Sequence, residues 1–207
     1  MYLLSFIILF FVWLKKAPMK NIVLFASGSG TNAENIIRYF AESKVAKVAA
    51  LFSNNPAAMV LERAKNLQVD SVVFSKEELI TGRVLKHLNK MHPDLIVLAG
   101  FLLQFPEDII EKYLHKIINI HPALLPKYGG KGMYGAHVHK AVLENKEKET
   151  GISIHYVNSH YDEGEIIFQK NISIENCTTY EEIAEKIHQL EQDFFPKIIE
   201  QILTEQQ

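Results

Sequence analysis

One apolar segment, residues 117–126 (IINIHPALLP), ends in two side chains that could do chemistry. Asn119 and His121 lie two positions apart, so on a β-strand both project from the same face. An amide beside an imidazole offers hydrogen-bond donors to a carbonyl oxygen that gains negative charge under attack. The prolines at 122 and 126 stiffen the chain beyond the strand. The segment predicts an oxyanion-stabilising pair; a buried, hydrogen-bonded histidine at a capped strand end is the alternative.

A carboxylate later in the chain could complete this pair. Asp162 lies in the sequence YDEG, between two predicted strands. Close to His121, it would favour the charged imidazole or move a proton to or from a reacting amine. His155 could support either group. Carboxylates in turns are usually solvated or bonded to backbone, so Asp162 alone indicates no function.

A glycine-rich turn, FASGSGTNAEN (residues 25–35), follows the first predicted strand. Gly28 and Gly30 allow unusual backbone conformations, and their N–H groups beside a helix start would form an anion cradle. Thr31 and Glu34 fit a capping box. The spacing matches neither G-x-G-x-x-G nor a Walker motif. It therefore favours a single phosphate monoester over a dinucleotide or nucleoside triphosphate, with a plain tight turn as the alternative.

Alternating strands and helices must position these residues. Apolar runs predict strands at 21–26, 45–53, 71–74, 94–101 and 117–120. Amphipathic segments between them predict helices at 31–40, 58–67, 76–91 and 107–113. This alternation is typical of a doubly wound, mostly parallel α/β sheet, whose carboxyl strand ends line a ligand crevice. Later, residues 151–157 and 164–174 predict an antiparallel pair, and 178–203 a long amphipathic helix.

The composition narrows the class of protein. A chain of 207 residues with 48% hydrophobic residues is sufficient for one well-buried domain. The net charge of -2 gives no basic surface for nucleic acid. Cys177 is the single cysteine, which fits a reducing cytoplasm. Neither Cys pairs nor H-x-x-x-H spacing occurs in the sequence, so we predict no metal.

The first 18 residues differ from the rest. Their apolar run is shorter than the ~20 residues that span a bilayer, and Lys15 and Lys16 follow it instead of preceding it. We interpret residues 1–18 as an extension outside the fold and residues 19–207 as a single domain that starts at Met19. A marginal membrane anchor is the alternative. We expect a cytoplasmic protein without stable membrane association.

The motifs together resemble a known family, the phosphoribosylglycinamide formyltransferases. The resemblance runs from Met19 to about Leu203 and rests on segments that occur in the same order in that family. These are SGSGTN, VLAGFLLQFP, NIHPALLP, GISIHYV followed by YDEGEIIFQ, and LEQDFFP. It implies a Rossmann-like formyltransferase fold with a late antiparallel strand pair and a long C-terminal helix.

The resemblance also implies a reaction. A formyl group passes from the co-substrate 10-formyltetrahydrofolate to the amine of 5'-phosphoribosylglycinamide (glycinamide ribonucleotide), in de novo purine biosynthesis. The implied partners are these two small molecules, without nucleic acid or metal, and the implied assembly is a monomer or homodimer. Two other readings stay open: another enzyme that uses 10-formyltetrahydrofolate, such as a deformylase or a formyltransferase for a different amine, and a catalytically silent sensor.

Residue by residue, the resemblance implies a complete site. Asn119 and His121 polarise the formyl oxygen, while Asp162 keeps His121 charged and helps the amine lose its proton. The implied ribonucleotide-binding residues are Gly28, Ser29, Gly30, Thr31, Asn32 and Glu191. The implied folate-binding residues are Lys76, Leu102, Leu103, Gln104, Phe105 and Asn119, and His137 and His155 are implied to support the site.

Two segments depart from the family pattern. Leu103 stands where bacterial relatives often carry an arginine, which removes a possible charge contact to the folate. The segment from Lys127 to His137 is longer and richer in glycine than the compact bacterial form. We expect it to lie over the site as a mobile flap.

Overall fold

The computed structural model describes residues 18–205, which form one seven-stranded sheet with helices on both faces. The predicted extension at residues 1–18 falls outside this range except for Pro18. The strands are β1 (Lys20–Phe25), β2 (Ala46–Ser53), β3 (Ser71–Val73), β4 (Leu95–Leu98), β5 (Ile117–His121), β6 (Glu149–Tyr156) and β7 (Ile166–Ser173). The helices are α1 (Thr31–Phe40), α2 (Met59–Asn66), α3 (Lys76–Ile80), α4 (Arg83–Met91), α5 (Glu107–Lys112), α6 (Ala136–Glu144) and α7 (Tyr180–Glu205).

The strand order is β3-β2-β1-β4-β5-β6-β7. Strands β1 to β5 pair in parallel, whereas β5–β6 and β6–β7 pair antiparallel. The predicted fold class, including the late antiparallel pair and the long C-terminal helix, is confirmed. The order reverses between β1 and β4, which in doubly wound sheets is where the ligand crevice opens.

The sheet separates two hydrophobic clusters. Ile22 and Leu24 of β1 point to a cluster that includes α1, α2, α6 and α7, whereas Val23 and Phe25 point to one that includes α3, α4 and α5. Because side chains alternate along a strand, a strand covered on both faces must be apolar throughout. This explains the continuous apolar runs of β1 and β4.

Helix α7 crosses the cluster on one face and docks on α1. Pro196 lies inside α7 and has no N–H for the carbonyl of Gln192, four residues earlier. That carbonyl instead accepts a hydrogen bond from Asn35 Nδ2 of α1 at 2.9 Å. Within residues 18–205, none of the helices combines the length and the apolar character needed to cross a bilayer.

Two local predictions are wrong. The segment predicted as one helix over 76–91 forms two helices. Gly82, with φ 78, interrupts the helical backbone and is the N-cap of α4. The predicted capping box of Thr31 and Glu34 is absent: Gly30 is the N-cap of α1 without a side-chain cap, and Glu34 instead pairs with two arginines. The cap residue of α1 is therefore a glycine in the left-handed region.

Candidate active site

A cleft of about 1040 Å³ opens at the carboxyl ends of β1, β4 and β5. Its walls come from six parts of the chain: the glycine-rich turn at residues 28–32, the end of β4 with residues 98–105, residues 119–122, residues 130–136, residues 157–162, and one side of α7. The volume is at the upper end of ordinary small-molecule sites, so the cleft has room for two substrates.

The middle of this cleft contains Asn119, His121 and Asp162. Together with the adjacent His155 we call them the central cluster. Asp162 Oδ2 is 3.5 Å from His121 Nδ1, and Asp162 Oδ1 is 3.5 Å from Asn119 Nδ2. The Gly130 N–H donates to Asp162 Oδ2 at 2.9 Å. All three side chains are largely buried, with Asp162 11% exposed and His121 4% exposed. An amide, an imidazole and a carboxylate therefore meet at one point, although 43 residues separate the first from the last.

The antiparallel pair of β5 and β6 orients Asn119. His155 is its direct partner in the register. His155 Nδ1 contacts the Tyr156 carbonyl at 2.9 Å and must carry the hydrogen, so Nε2 accepts from Asn119 Nδ2 at 3.1 Å. One amide hydrogen is thereby used, and the second has only the long 3.5 Å contact with Asp162. This second hydrogen is available for a substrate oxygen.

The turn that carries Asp162 depends on a glycine two residues later. A Cβ at Gly164 would collide with the Tyr156 carbonyl oxygen and approach His155 Nδ1 at 3.4 Å. Asp162 itself has φ 57, a left-handed conformation that Asp and Asn tolerate better than most residues. The D-x-G pattern thus packs the turn against β6 and brings the carboxylate to the histidines.

The protonation states follow from burial and neighbours. Burial lowers the pKa of His121 below its ordinary value, and this outweighs the opposite effect of the Asp162 charge and the Tyr128 carbonyl. Burial raises the pKa of Asp162, whereas His155, His121 and the Gly130 N–H lower it. The lowering is the larger effect, so the pKa of Asp162 lies below its ordinary value. In the free protein at neutral pH, His121 is therefore neutral beside an ionised Asp162. The Asp162 charge acts on His121 in the expected direction but is outweighed by burial in the free protein, and its effect with substrate bound stays a prediction.

The glycine-rich turn at residues 28–30, which we call the phosphate loop, has all its carbonyl oxygens tied to helices. They accept hydrogen bonds from the Val60 N–H at 3.2 Å, from Arg63 Nε at 2.9 Å and from the Glu34 N–H at 2.8 Å. Across a trans peptide the N–H points opposite to the C=O. The N–H groups of residues 29–31 therefore face away from these helices, and within residues 18–205 they have no hydrogen-bond partner. Free backbone donors at a helix start are suited to an anion.

Helix α7 supplies an acid next to this loop. Glu191 Oε2 accepts from Asn32 Nδ2 at 2.9 Å and lies 3.5 Å from His188 Nδ1. Its side chain is only 13% exposed and lines the cleft. The contact with Glu191 raises the pKa of His188. Asn32 and Glu191 thus stand at the border between the phosphate loop and the central cluster.

The other end of the cleft is formed by residues 102–105. The Leu102 N–H donates to Ser27 Oγ at 3.0 Å, and Gln104 Nε2 donates to the Ser159 carbonyl at 2.8 Å. Phe105 is 4% exposed and packs edge-on against Phe25, whereas the Leu102 side chain is 50% exposed. The segment is fixed at both ends and presents apolar side chains and backbone to the cleft.

Comparison with known proteins identifies the family. Residues 20–199 match the family model described as "Formyl transferase". The chain belongs to the formyltransferase family. It is 36% identical over 191 residues to phosphoribosylglycinamide formyltransferase of Bacillus subtilis, covering 89% of this chain and 95% of that protein. It is 33% identical to the chloroplastic enzyme of that name from Arabidopsis thaliana, covering 90% of this chain and 66% of that protein.

The fold comparison agrees with the family. The crystal structure of phosphoribosylglycinamide formyltransferase from Bacillus halodurans superposes with a TM-score of 0.81 at 32% identity. The match covers 91% of this chain and 97% of that one. The overall fold of this formyltransferase therefore matches that of its solved relatives.

Two predicted site residues lie away from this formyltransferase cleft. Lys76 starts α3, beyond the short edge strand β3, and does not line the cleft. His137 is exposed on α6 and contacts the ring of Tyr134. His139 of the same helix lines the cleft instead, is 7% exposed, and leaves Nδ1 without a partner among residues 18–205. Helical spacing could have shown this, because His139 shares a face with buried Val142.

The remaining predicted residues line the cleft: Gly28, Ser29, Gly30, Thr31, Asn32, Leu102, Leu103, Gln104, Phe105, His155 and Glu191. The segment predicted as a flap also contributes, through residues 130–136. Tyr128 was not predicted as a site residue, yet its carbonyl contacts His121 Nε2 at 2.7 Å. Backbone carbonyls leave no trace in side-chain patterns. Within residues 18–205, no three His, Cys, Asp or Glu side chains are grouped as metal ligands.

Proposed function

We propose that this protein transfers the formyl group of 10-formyltetrahydrofolate to the amine of 5'-phosphoribosylglycinamide. The products are formylglycinamide ribonucleotide and tetrahydrofolate, and the reaction belongs to de novo purine biosynthesis. The names of the relatives in Bacillus subtilis and Arabidopsis thaliana support this activity. The observation that supports it best is a single cleft that joins free backbone donors, an amide–imidazole–carboxylate cluster and an apolar wall.

The cleft suggests how the two substrates meet. The ribonucleotide phosphate lies on the N–H groups of residues 29–31, and its ribose lies near Glu191. The folate ring lies against residues 102–105, where backbone and apolar side chains are available. Both reacting groups then meet beside Asn119. Holding an amine and a formyl carbon in contact removes most of the entropic cost of a reaction between two molecules.

The amine attacks the formyl carbon, and the carbonyl electron pair moves to the oxygen. The second Nδ2 hydrogen of Asn119 is in position to donate to this oxygen. His121 can donate as well only after its Nε2 hydrogen leaves the Tyr128 carbonyl. A hydrogen bond from His121 to the formyl oxygen therefore requires the Tyr128 carbonyl to move away from Nε2.

The developing oxyanion also changes the balance at His121. Burial lowers its pKa in the free protein, but a negative oxygen next to the ring raises that pKa again. Asp162 takes the proton from the attacking nitrogen through a water molecule. The electron pair on the oxygen then re-forms the carbonyl as the bond from the formyl carbon to N10 breaks, and Asp162 returns its proton to N10 as tetrahydrofolate leaves. The amine loses one proton and N10 gains one, so the protons balance, and no covalent bond to the protein forms.

A formyl-transfer assay with purified protein tests this function. We expect tetrahydrofolate to appear only when both 10-formyltetrahydrofolate and glycinamide ribonucleotide are present. Formate release without the ribonucleotide would indicate a deformylase. Binding of both ligands without turnover would indicate a sensor, and turnover with another amine alone would indicate a different formyltransferase.

A further inference from the structure

Arg63 of α2 is the one side chain within residues 18–205 that holds a carbonyl of the phosphate loop; the other two carbonyls are held by backbone N–H groups. Its Nε donates to the Ser29 carbonyl at 2.9 Å. The peptide between Ser29 and Gly30 therefore has its C=O directed at α2. Its N–H, on Gly30, points the opposite way.

The rest of Gly30 is already constrained. It has φ 75, and a Cβ at this position would overlap the Val60 side chain. The neighbouring Gly28 carbonyl accepts from the Val60 N–H at 3.2 Å. Glycines have more backbone freedom than other residues, so the peptide between Ser29 and Gly30 keeps one orientation only if contacts on both of its sides hold it. Arg63 supplies the restraint on the side that the backbone of α2 does not reach.

The second end of the guanidinium pairs with Glu34. This glutamate lies in the first turn of α1, where its negative charge would repel an anion on the loop. Hydrogen bonds from Arg38 and then Arg63 lower the pKa of Glu34, so the carboxylate stays ionised. The positive charges of the two arginines offset its negative charge. Arg63 thus fixes one loop peptide and offsets the nearest carboxylate. Arg38 does only the second, because among residues 18–205 its side chain bonds Glu34 alone.

We propose that Arg63 is a positioning residue for the substrate phosphate: it orients the Gly30 N–H toward the phosphate by holding the Ser29 carbonyl. This inference rests on the proposed function, since it requires a phosphate on the loop. Arg63 acts through the backbone and does not line the main cleft. Its removal should weaken recognition of the phosphate while the chemistry at Asn119 proceeds.

Arg63→Met and Arg38→Met form a matched pair, because each removes one cation that pairs with Glu34. We expect Arg63→Met to raise the KM for glycinamide ribonucleotide on the order of tenfold, the usual effect of one lost hydrogen bond to a charged group. The KM for 10-formyltetrahydrofolate and kcat should stay near wild type. Arg38→Met should leave all three constants near wild type. With glycinamide riboside, which lacks the phosphate, kcat/KM should be the same for Arg63→Met and wild type.

An equal loss on ribonucleotide and riboside would overturn the proposal, because it would indicate general distortion. An equal effect of Arg38→Met would overturn it in favour of charge alone, and an unchanged KM in Arg63→Met would overturn it outright. If Arg63→Met fails to fold, Arg63→Gln, polar but shorter, is judged by the same criteria.

Inorganic phosphate provides a readout that does not depend on the proposed reaction. We expect calorimetry to give a weaker affinity for phosphate in Arg63→Met than in wild type and Arg38→Met. A wild-type protein that binds phosphate but forms no product would contradict the proposed function and leave the role of Arg63 standing. A wild-type protein that is active, with identical phosphate affinity in all three, would contradict only the role of Arg63.

Discussion

The two halves of the cleft are built from different parts of the polypeptide. The phosphate loop offers backbone N–H groups from three consecutive residues, each fixed by a carbonyl tied to a helix. The central cluster instead offers side chains from β5, β6 and the turn after β6. One half is local in the sequence, whereas the other exists only after two antiparallel strands have paired.

This difference has a physical consequence. Only a substitution to proline removes a backbone N–H, so every other substitution alters the loop only through its shape. Side-chain groups can be removed one at a time, and each is supported by contacts with the others. Substitutions in the central cluster should therefore reduce kcat, while substitutions around the loop should reduce affinity or stability.

Asp162→Asn should have the largest effect. Asparagine keeps the shape and tolerates the left-handed conformation of this position, but it cannot accept the amine proton. We expect kcat to fall by about 10³-fold, within the range of general acid–base contributions, with substrate affinity largely retained. Glu163→Gln changes the adjacent, exposed carboxylate and should have wild-type kcat. Turnover retained in Asp162→Asn would exclude the proposed role of Asp162. It would also contradict the expectation that substitutions in the central cluster reduce kcat.

Asn119→Leu should come next. Leucine has a similar shape and removes both amide hydrogens, including the one available for the formyl oxygen. Loss of one oxyanion donor elsewhere lowers kcat by about 10²–10³-fold, and we expect the same here. Asn119→Asp should be at least as damaging, because it adds a negative charge beside Asp162. Saturating kinetics measure this, and a change confined to KM would assign Asn119 to binding alone.

Gly30→Ala tests the loop half. Alanine at φ 75 is strained and its Cβ would overlap Val60, so we expect a loss of about 2–4 kcal/mol in the free energy of unfolding. Gly28→Ala is the matched control, since nothing lies within 4 Å of a Cβ there and its φ is not in the left-handed region. Its stability should stay close to wild type. Chemical denaturation measures both, and equal stabilities would mean that the loop is not held as described.

The same contrast explains what the sequence could predict. The phosphate loop is contiguous, so the pattern SGSGTN was sufficient to predict where an anion cradle would lie. The register that pairs Asn119 with His155 could be expected only once an antiparallel pair was assumed. Continuous apolar runs predicted β1, β2, β4 and β5, because the interior of a sheet covered on both faces leaves an unbroken apolar signal, whereas the edge strand β7 is largely exposed and was predicted as part of an antiparallel pair.

The failures come from contacts that are distant in sequence. Glu34 fits a capping box in sequence, but Arg63 of the next helix competes for its carboxylate. Lys76 was assigned to the folate by family resemblance, yet α3 begins beyond the edge strand and away from the cleft. The choice of His137 over His139 depended on which face of α6 turns inward. That face is set by packing against α7, and within α6 itself only the spacing of the apolar residues Val138 and Val142 indicates it.

The smallest predicted effect uses those two histidines to compare a buried with an exposed side chain on one helix. Burial lowers the pKa of His139 below 6.5, so between 6.5 and that lower value the unfolded chain binds the proton and the folded chain does not. The stability from neutral His139 is therefore fully present above pH 6.5 and is lost as the pH falls through its folded pKa. His139→Gln should make the decrease in Tm on acidification shallower, without abolishing it, because the pKa of His121 is lowered for the same reason. His137→Gln, which replaces an exposed histidine on the same helix, is the matched control. Identical slopes for the two variants would mean that His139 is not protected from protonation by the fold.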